Sequence, residues 1–142
     1  MAILRGAQFA ERGIALDRFA DPLAAILTVF EDLDLTATST TTIYTVPTGK
    51  TAIILGCLLR IKSANTVTVD AAASLGINPS TTDLFAAETL VGVQSISDVW
   101  SFWKDTSGGL VANSADLVDL DVSVAATATT LTCDVFVIGL LI

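Results

Sequence analysis

The segment Leu117–Val124 reads LVDLDVSV, and it decides the fold class because apolar and polar residues alternate along it from Val118 onwards. One set is apolar and the other polar: Val118, Leu120, Val122 and Val124 against Asp119, Asp121 and Ser123. A period of two places successive side chains on opposite faces of a strand. The segment therefore predicts a strand that covers a core on one side and meets water on the other.

Similar β-type stretches continue from residue 31 to residue 142, where threonine, valine, alanine and isoleucine dominate. Turn residues such as Pro47 and Gly49 interrupt them at short intervals. We predict strands over residues 40–46, 51–62, 66–77, 97–104, 117–124 and 129–142, whereas residues 84–91 fit either a short helix or an irregular edge. Strands at this spacing, without helices between them, predict an all-β fold, an antiparallel β-sandwich that is jelly-roll-like.

Residues 1–30 have a different pattern, with apolar residues at roughly helical spacing and charges between them. Gly6, Gly13 and Pro22 interrupt any single long helix. We expect an N-terminal helical or extended arm, residues 1–30, with a helix around residues 22–29, followed by a β-sandwich body, residues 31–142. The apolar stripe of the arm has no partner within the arm, so we expect it to dock on the body or on a neighbouring molecule.

The composition favours a protein that associates with other proteins. Hydrophobic residues make up 52% of the chain and charged ones 15%, against roughly 25% charged in an average soluble domain. The net charge of −8 disfavours nucleic-acid binding, because an acidic surface repels phosphates. The longest apolar runs, residues 52–59 and 135–142, hold about eight residues each, whereas a membrane-spanning helix needs about twenty. We therefore expect neither a nucleic-acid partner nor a membrane partner.

These two runs are apolar in both alternating sets, so both faces of each strand should be covered. A neighbouring subunit can cover one of them. From the two runs we predict a self-association interface formed by Ile53, Leu55, Leu58, Leu59, Phe136, Ile138 and Leu140. The alternative is that both strands are buried entirely within one molecule.

The chain carries few signs of chemistry, and we expect neither an enzyme nor a cofactor, a metal or a catalytic residue. It contains no histidine, the commonest general base. The VPTGKT turn at residues 46–51 lacks the first glycine of a phosphate-binding loop, since Tyr44 takes its position. Asp116, Asp119 and Asp121 do not have the spacing of a calcium loop, and a solvated face explains them better.

Two residue pairs leave alternatives open. Cys57 and Cys133 fit small buried hydrophobic residues, but a disulfide between them is also compatible with the sequence. Trp100 and Trp103 fit core and rim positions, and they are also a candidate ligand platform for carbohydrate binding.

Residues 43–56, IYTVPTGKTAIILG, and residues 130–139, TLTCDVFVIG, resemble small β-sandwich structural proteins of tailed bacteriophages. In these, a VP-x-GKT turn leads into a long hydrophobic strand and an apolar strand closes the chain. Among them, we favour the capsid decoration (cement) type. The resemblance implies a virion protein on the capsid exterior, present in the host cytoplasm before assembly, that stabilises the capsid lattice.

The same resemblance implies the partners of the chain. They are other copies of itself, with a homotrimer favoured, and the major capsid protein or another virion protein. The arm would contact the shell through Leu4, Phe9, Ile14, Phe19, Leu23 and Phe30. Because this arm departs from the compact decoration modules, a tail or neck component stays open as an alternative. Trp100 and Trp103 keep a receptor- or carbohydrate-binding module open as well.

Overall fold

The computed structural model describes residues 25–103 and 111–142, and the regular secondary structure in these ranges is β-strand throughout. The strands are β1 (Ala25–Asp34), β2 (Ser39–Thr45), β3 (Ala52–Asn65), β4 (Ala72–Ile77), β5 (Phe85–Thr89), β6 (Val99–Trp103), β7 (Val111–Ala112), β8 (Leu117–Val124) and β9 (Thr130–Leu141). Within the described ranges, no helix long and apolar enough to cross a membrane is found.

The strands form two antiparallel sheets, one of five strands and one of four. In the five-stranded sheet the order is β1-β9-β3-β6, and β7 also pairs with β3. In the four-stranded sheet the order is β2-β8-β4-β5. β6 and β7 lie along the same edge of β3 and are two pieces of one edge strand. Apart from the step between these pieces, every connection except β4–β5 passes from one sheet to the other. This order is jelly-roll-like, and the predicted fold class is confirmed.

The alternating segment at residues 117–124 is β8, a central strand of the four-stranded sheet. Val118, Leu120 and Val122 are fully buried and belong to one hydrophobic core shared by both sheets. From the five-stranded sheet, Leu59 and Val135 join the same core. Since burying one such side chain stabilises the fold by roughly 1.5–3 kcal/mol, the alternation in β8 explains why its register is well defined.

The N-terminal part of the described chain differs from its prediction. Residues 25–29 belong to β1, not to the helix predicted around residues 22–29. β1 pairs with the edge of β9 from Ala25, opposite Gly139, to Asp34, opposite Thr132. This tertiary pairing overrides the helical spacing, and the isoleucine, threonine, valine and phenylalanine of the segment favour a strand. Residues 25–30, which the sequence assigned to the arm, thus lie in the sheet.

Two other segments are shorter or more regular than predicted. The strand expected over residues 66–77 begins only at Ala72, because Thr66 has a left-handed backbone (φ 54°) and Val69 forms only an isolated bridge with Thr127. The ambiguous residues 84–91 contain β5, which pairs with β4 at the edge of the four-stranded sheet.

Candidate interaction surface

The side of the five-stranded sheet that faces away from the core carries a continuous apolar surface. Directly opposed residues of an antiparallel pair point to the same side, so the register defines this surface. Three rows cross it: Val111–Ile53–Leu140, Trp103–Gly56–Ile138–Ile26 and Ser101–Leu58–Phe136–Val29. We call these residues, together with Leu55 and Val99, the outer face.

The outer face is apolar and largely accessible. Ile26 is 58% exposed, and Val99 and Trp103 are each 55% exposed. The residues of the two central strands are half-buried by their neighbours: Ile53, Leu55, Leu58, Phe136, Ile138 and Leu140. The three rows contain no charged residue. Contiguous apolar surfaces of this kind mark sites of interaction with other proteins.

The outer face carries an aromatic ring that lies against the sheet, and it also has a hollow. A Cβ added to Gly56 would lie 2.6 Å from Cε3 of Trp103, so the indole ring rests directly against the backbone of β3. The hollow has a volume of about 280 Å³ and is lined by Ile26, Leu58, Arg60, Val99 and Phe136. Its walls therefore come from four adjacent strands and are apolar except for Arg60.

A charged cluster bounds the outer face at the end where β3 finishes. Lys62 Nζ lies 3.1 Å from Asp32 Oδ1 and 3.8 Å from Asp134 Oδ1, and Arg60 Nη1 lies 3.9 Å from Asp134 Oδ2. A bulge in β1 gives Asp32 a left-handed backbone (φ 61°), and its N–H donates to Asp134 Oδ1 over 3.2 Å. The hydrogen bond to Asp32 raises the pKa of Lys62 above its ordinary value. The Lys62–Asp32 pair is exposed and adds little stability, so the cluster acts mainly as a polar rim.

The structure brings six of the seven predicted self-association residues together on the outer face. The seventh, Leu59, is fully buried in the core and stands opposite Val135. The cause is a bulge at Leu55, which adds one residue to β3 between Ile54 and Gly56 and reverses the alternation beyond it. The bulge turns Leu58 outward and Leu59 inward, so Leu59 cannot contact a neighbouring molecule.

Most of the predicted shell-contacting arm lies outside the described residues, namely Leu4, Phe9, Ile14, Phe19 and Leu23. Phe30 lies in β1, where it is half-buried and packs against the core. Four further residues of the outer face were not predicted from the sequence: Ile26, Val29, Val99 and Val111. Ile26 and Val29 are three residues apart and share a side only because the register shifts between Ile26 and Thr28, so alternation along the sequence could not have indicated both.

The two tryptophans do not form one platform. Trp100 stands opposite Leu59 and packs against the core, whereas Trp103 stands opposite Gly56 on the outer face. Phe102, like Trp100, points inward and contacts Phe85 with the ring centroids 5.8 Å apart. A flat ligand could therefore stack on Trp103 but not on both indoles.

The two cysteines are free and buried. Cys57 pairs with Val137 and Cys133 with Ile61, so the thiols are four residues apart along the ladder. At about 3.3 Å per residue this separation is roughly 13 Å, beyond the Cα distance of about 7 Å that a disulfide spans. Burial raises the pKa of Cys57 to about 12 and that of Cys133 to about 12. Both are neutral thiols at physiological pH and poor nucleophiles.

The aspartates considered as calcium ligands are engaged in the four-stranded sheet and its turns. Asp119 accepts hydrogen bonds from the Thr42 hydroxyl (2.6 Å) and the Asn78 amide (2.8 Å), and Asp121 accepts one from the Thr40 hydroxyl (2.6 Å). Asp116 accepts from the Asn113 backbone N–H. Across residues 25–103 and 111–142, no three histidine, cysteine or acidic side chains are grouped to hold a metal ion. These carboxylates tie β2 to β8 and close a turn.

Comparison with known proteins relates the chain to phage capsid structures by its fold. No protein-family model and no curated protein sequence matches it. A chain in the acidic stable capsid structure of Helicobacter pylori bacteriophage KHP30 matches with a TM-score of 0.53 and 14% identity, over 84% of this chain and 96% of that one. A chain of the cyanophage Pam1 capsid asymmetric unit matches with a TM-score of 0.50 and 22% identity, over 82% and 84%. A chain in the capsid of Ralstonia phage GP4 gives a TM-score of 0.48. At these identities, the first two matches show a shared fold.

Proposed function

We propose that this protein is a non-enzymatic structural component of a phage virion, of the capsid decoration (cement) type. It associates with copies of itself and with a capsid protein, and many weak contacts repeated over the lattice give a high total avidity. The observation that carries the proposal is the outer face, an uncharged apolar surface spread over the strands of one sheet. Such a surface suits contact with protein and has no feature that recognises nucleic acid.

The fold comparisons support this assignment through the size of the matching chains. The match covers 96% of the KHP30 capsid chain and 84% of the Pam1 capsid chain. In both capsids, therefore, a small chain of about the same length as this one adopts the fold as a whole. This favours a small accessory component over the protein that forms the shell.

The location and the partners follow from the same proposal. We place the protein on the capsid exterior, with the host cytoplasm as its location before assembly. The major capsid protein is the partner expected for the shell-contacting arm, and the homotrimer implied by the resemblance is the expected oligomer. The net charge of −8 disfavours contact with packaged nucleic acid.

Quantitative mass spectrometry of purified virions tests the proposal. A copy number comparable to that of the major capsid protein is expected for a decoration protein. A few copies per particle would favour the neck or tail alternative instead. Absence from purified particles would overturn the virion assignment altogether.

A carbohydrate- or receptor-binding module is the second candidate, because Trp103 presents an exposed indole. Its cross-strand neighbours are less favourable, since the row through Trp103 continues with Gly56, Ile138 and Ile26. Sugar sites combine an aromatic surface with convergent polar groups, and this row has none. A glycan array with wild-type protein and Trp103→Ala distinguishes the two functions, because specific binding that the substitution abolishes would favour recognition.

A further inference from the structure

We propose that residues 14–24 of one copy lie across the outer face of a neighbouring copy, with Phe19 in the hollow of that face. The inference rests on the proposed function and deepens it, because it names the segment that joins the copies and the surface that receives the segment. The remaining arm residues, 1–13, stay available for the contact with the capsid protein. Gly13 stands at the boundary between the two parts of the arm.

The arm joins the sheet directly beside the outer face. β1 is an edge strand of the five-stranded sheet and begins at Ala25, opposite Gly139 of β9. The next residue, Ile26, already belongs to the outer face and is 58% exposed. The chain before Ala25 therefore leaves from the edge of that sheet. Residues 14–24 reach at most about 36 Å when extended, and four strands about 4.8 Å apart make the outer face about 20 Å across, so the segment is long enough to cross it.

The segment and the outer face match in chemistry. Residues 14–24 read IALDRFADPLA, and the large apolar side chains of the segment are Ile14, Leu16, Phe19 and Leu23. So short a segment cannot bury these side chains against one another. The three rows of the outer face carry no charge and are largely accessible, so the contact removes apolar area of both partners from water, and this burial drives it.

The hollow fits the aromatic ring of Phe19, the one phenylalanine among residues 14–24. A cavity of roughly 150 Å³ lined by leucine, isoleucine and phenylalanine holds a benzene molecule. The hollow here has about 280 Å³, so a phenyl ring can enter it together with part of a neighbouring side chain. Its lining offers an aromatic ring and a guanidinium, both of which attract a phenyl ring: Phe136 and Arg60, beside Ile26, Leu58 and Val99.

The charge of the chain favours the neighbouring copy over the same chain as the recipient of the segment. If the segment lay on its own body, it would cover the apolar surface and leave the copies to meet through polar surfaces, such as the one that carries Asp119 and Asp121. Residues 1–24 hold three arginines and three acidic residues, so the whole net charge of −8 lies in the bodies. Two such bodies repel each other, whereas the balanced arm of one can approach the body of the next.

The contact is also compatible with the expected homotrimer. A segment of one copy meets a different surface of the next, so the interface is head-to-tail. Head-to-tail interfaces form a closed ring when the rotation between successive copies closes. In a ring of three copies, every outer face receives one segment and no outer face is left uncovered.

Light scattering coupled to size exclusion, on the full chain, tests both sides of the contact. The wild type should form a trimer, and Phe19→Asp in the segment and Val99→Arg in the hollow should each weaken it by at least about tenfold in dissociation constant. The matched controls should leave the trimer unchanged: Phe19→Leu, which keeps an apolar side chain, and Val91→Arg, at a residue 66% exposed in the β5–β6 connection. Circular dichroism of each variant confirms the fold. A trimer that Phe19→Asp leaves intact would overturn the proposal.

Cross-linking between two variants then shows which copy receives the segment. Ala20 follows Phe19 in the segment, and Ser101 stands opposite Leu58 on the outer face. A mixture of Ala20→Cys chains and Ser101→Cys chains should therefore give a covalent heterodimer with a short bismaleimide. Ser123→Cys, at an exposed residue of β8 in the four-stranded sheet, replaces Ser101→Cys in the control mixture and should give none. The natural thiols are buried and do not interfere.

Two results of this experiment would overturn the proposal. An internal cross-link in a monomer that carries both Ala20→Cys and Ser101→Cys would assign the segment to its own body. An assembly that Val99→Arg dissociates, but in which the mixed variants form no heterodimer, would show that the outer face meets another surface of the neighbouring copy. Both results leave the virion assignment intact, because mass spectrometry of purified particles decides it separately.

Discussion

Leu58 and Leu59 are neighbours in the chain, and the structure predicts opposite consequences for their removal. Leu59 is fully buried in the core, whereas Leu58 is half-buried on the outer face and lines the hollow. Leu59→Ala should lower the free energy of unfolding by about 2–5 kcal/mol, because it removes buried methyl groups and leaves a cavity. Leu58→Ala removes side-chain atoms that are only partly covered, so it should cost about 1 kcal/mol or less in the isolated chain.

Urea unfolding, followed by circular dichroism, measures both values. The experiment is run over a range of protein concentrations, because association stabilises the folded chain by mass action. At the lowest concentration only Leu59→Ala should be strongly destabilised. At higher concentration Leu58→Ala should lose the additional stability that association provides to the wild type. Equal costs for the two substitutions at low concentration would refute the bulge at Leu55, and with it the assignment of the two faces of β3.

Three further outcomes are expected. First, Cys57 and Cys133 should be inert to a thiol reagent at pH 8 and react fully in urea. Because burial raises the pKa of each from 9.0 to about 12, the unfolded chain loses these protons first, and the free energy of unfolding should fall as pH rises from about 9 to about 12. Alanine at both positions should reduce this dependence on pH. Second, Gly139→Ala should destabilise the chain by about 1–3 kcal/mol, since the added Cβ would overlap the carbonyl oxygen of Ile53 and approach Leu27; an unchanged urea midpoint would contradict this packing. Third, self-association should strengthen when the salt concentration rises from about 0.01 M to about 0.1 M. The added salt shortens the screening length from about 30 Å to about 10 Å and so reduces the repulsion between two acidic molecules. Weaker self-association at the higher salt concentration would instead indicate an interface held by ion pairs.

The sequence predicted the strands that carry a strong period of two and missed those whose pairing is decided elsewhere in the chain. The alternation in β8 reports directly on the side that the core covers, and Val118, Leu120 and Val122 are buried as expected. The first part of β1, residues 25–29, was assigned to a helix around residues 22–29 because its pairing partner, β9, lies about a hundred residues away. Local spacing contains no information on such a partner, so the strand could only be found from the fold.

The prediction of the surface failed at one residue for a related reason. Apolar residues in both alternating sets of β3 predicted that both of its faces are apolar, but not which residue belongs to which face. That assignment depends on counting alternate residues along the strand, and the one extra residue at Leu55 reverses the face of every later residue of β3. Leu59 therefore lies in the core although Leu58 lies outside. A bulge of this kind has no distinct sequence signature when the inserted residue is itself apolar.

The two outward sides of the sandwich differ in a way that the fold itself does not require. On the four-stranded sheet, Asp119 and Asp121 accept hydrogen bonds from Thr42 and Thr40, so polar side chains that bond to one another occupy that side. On the five-stranded sheet the corresponding positions are isoleucine, leucine, valine and phenylalanine. An antiparallel sandwich that functions alone would be expected to keep both outward sides polar. The asymmetry fits the assembly that we propose: the apolar side would favour contact with protein, and the acidic remainder would limit association through other surfaces.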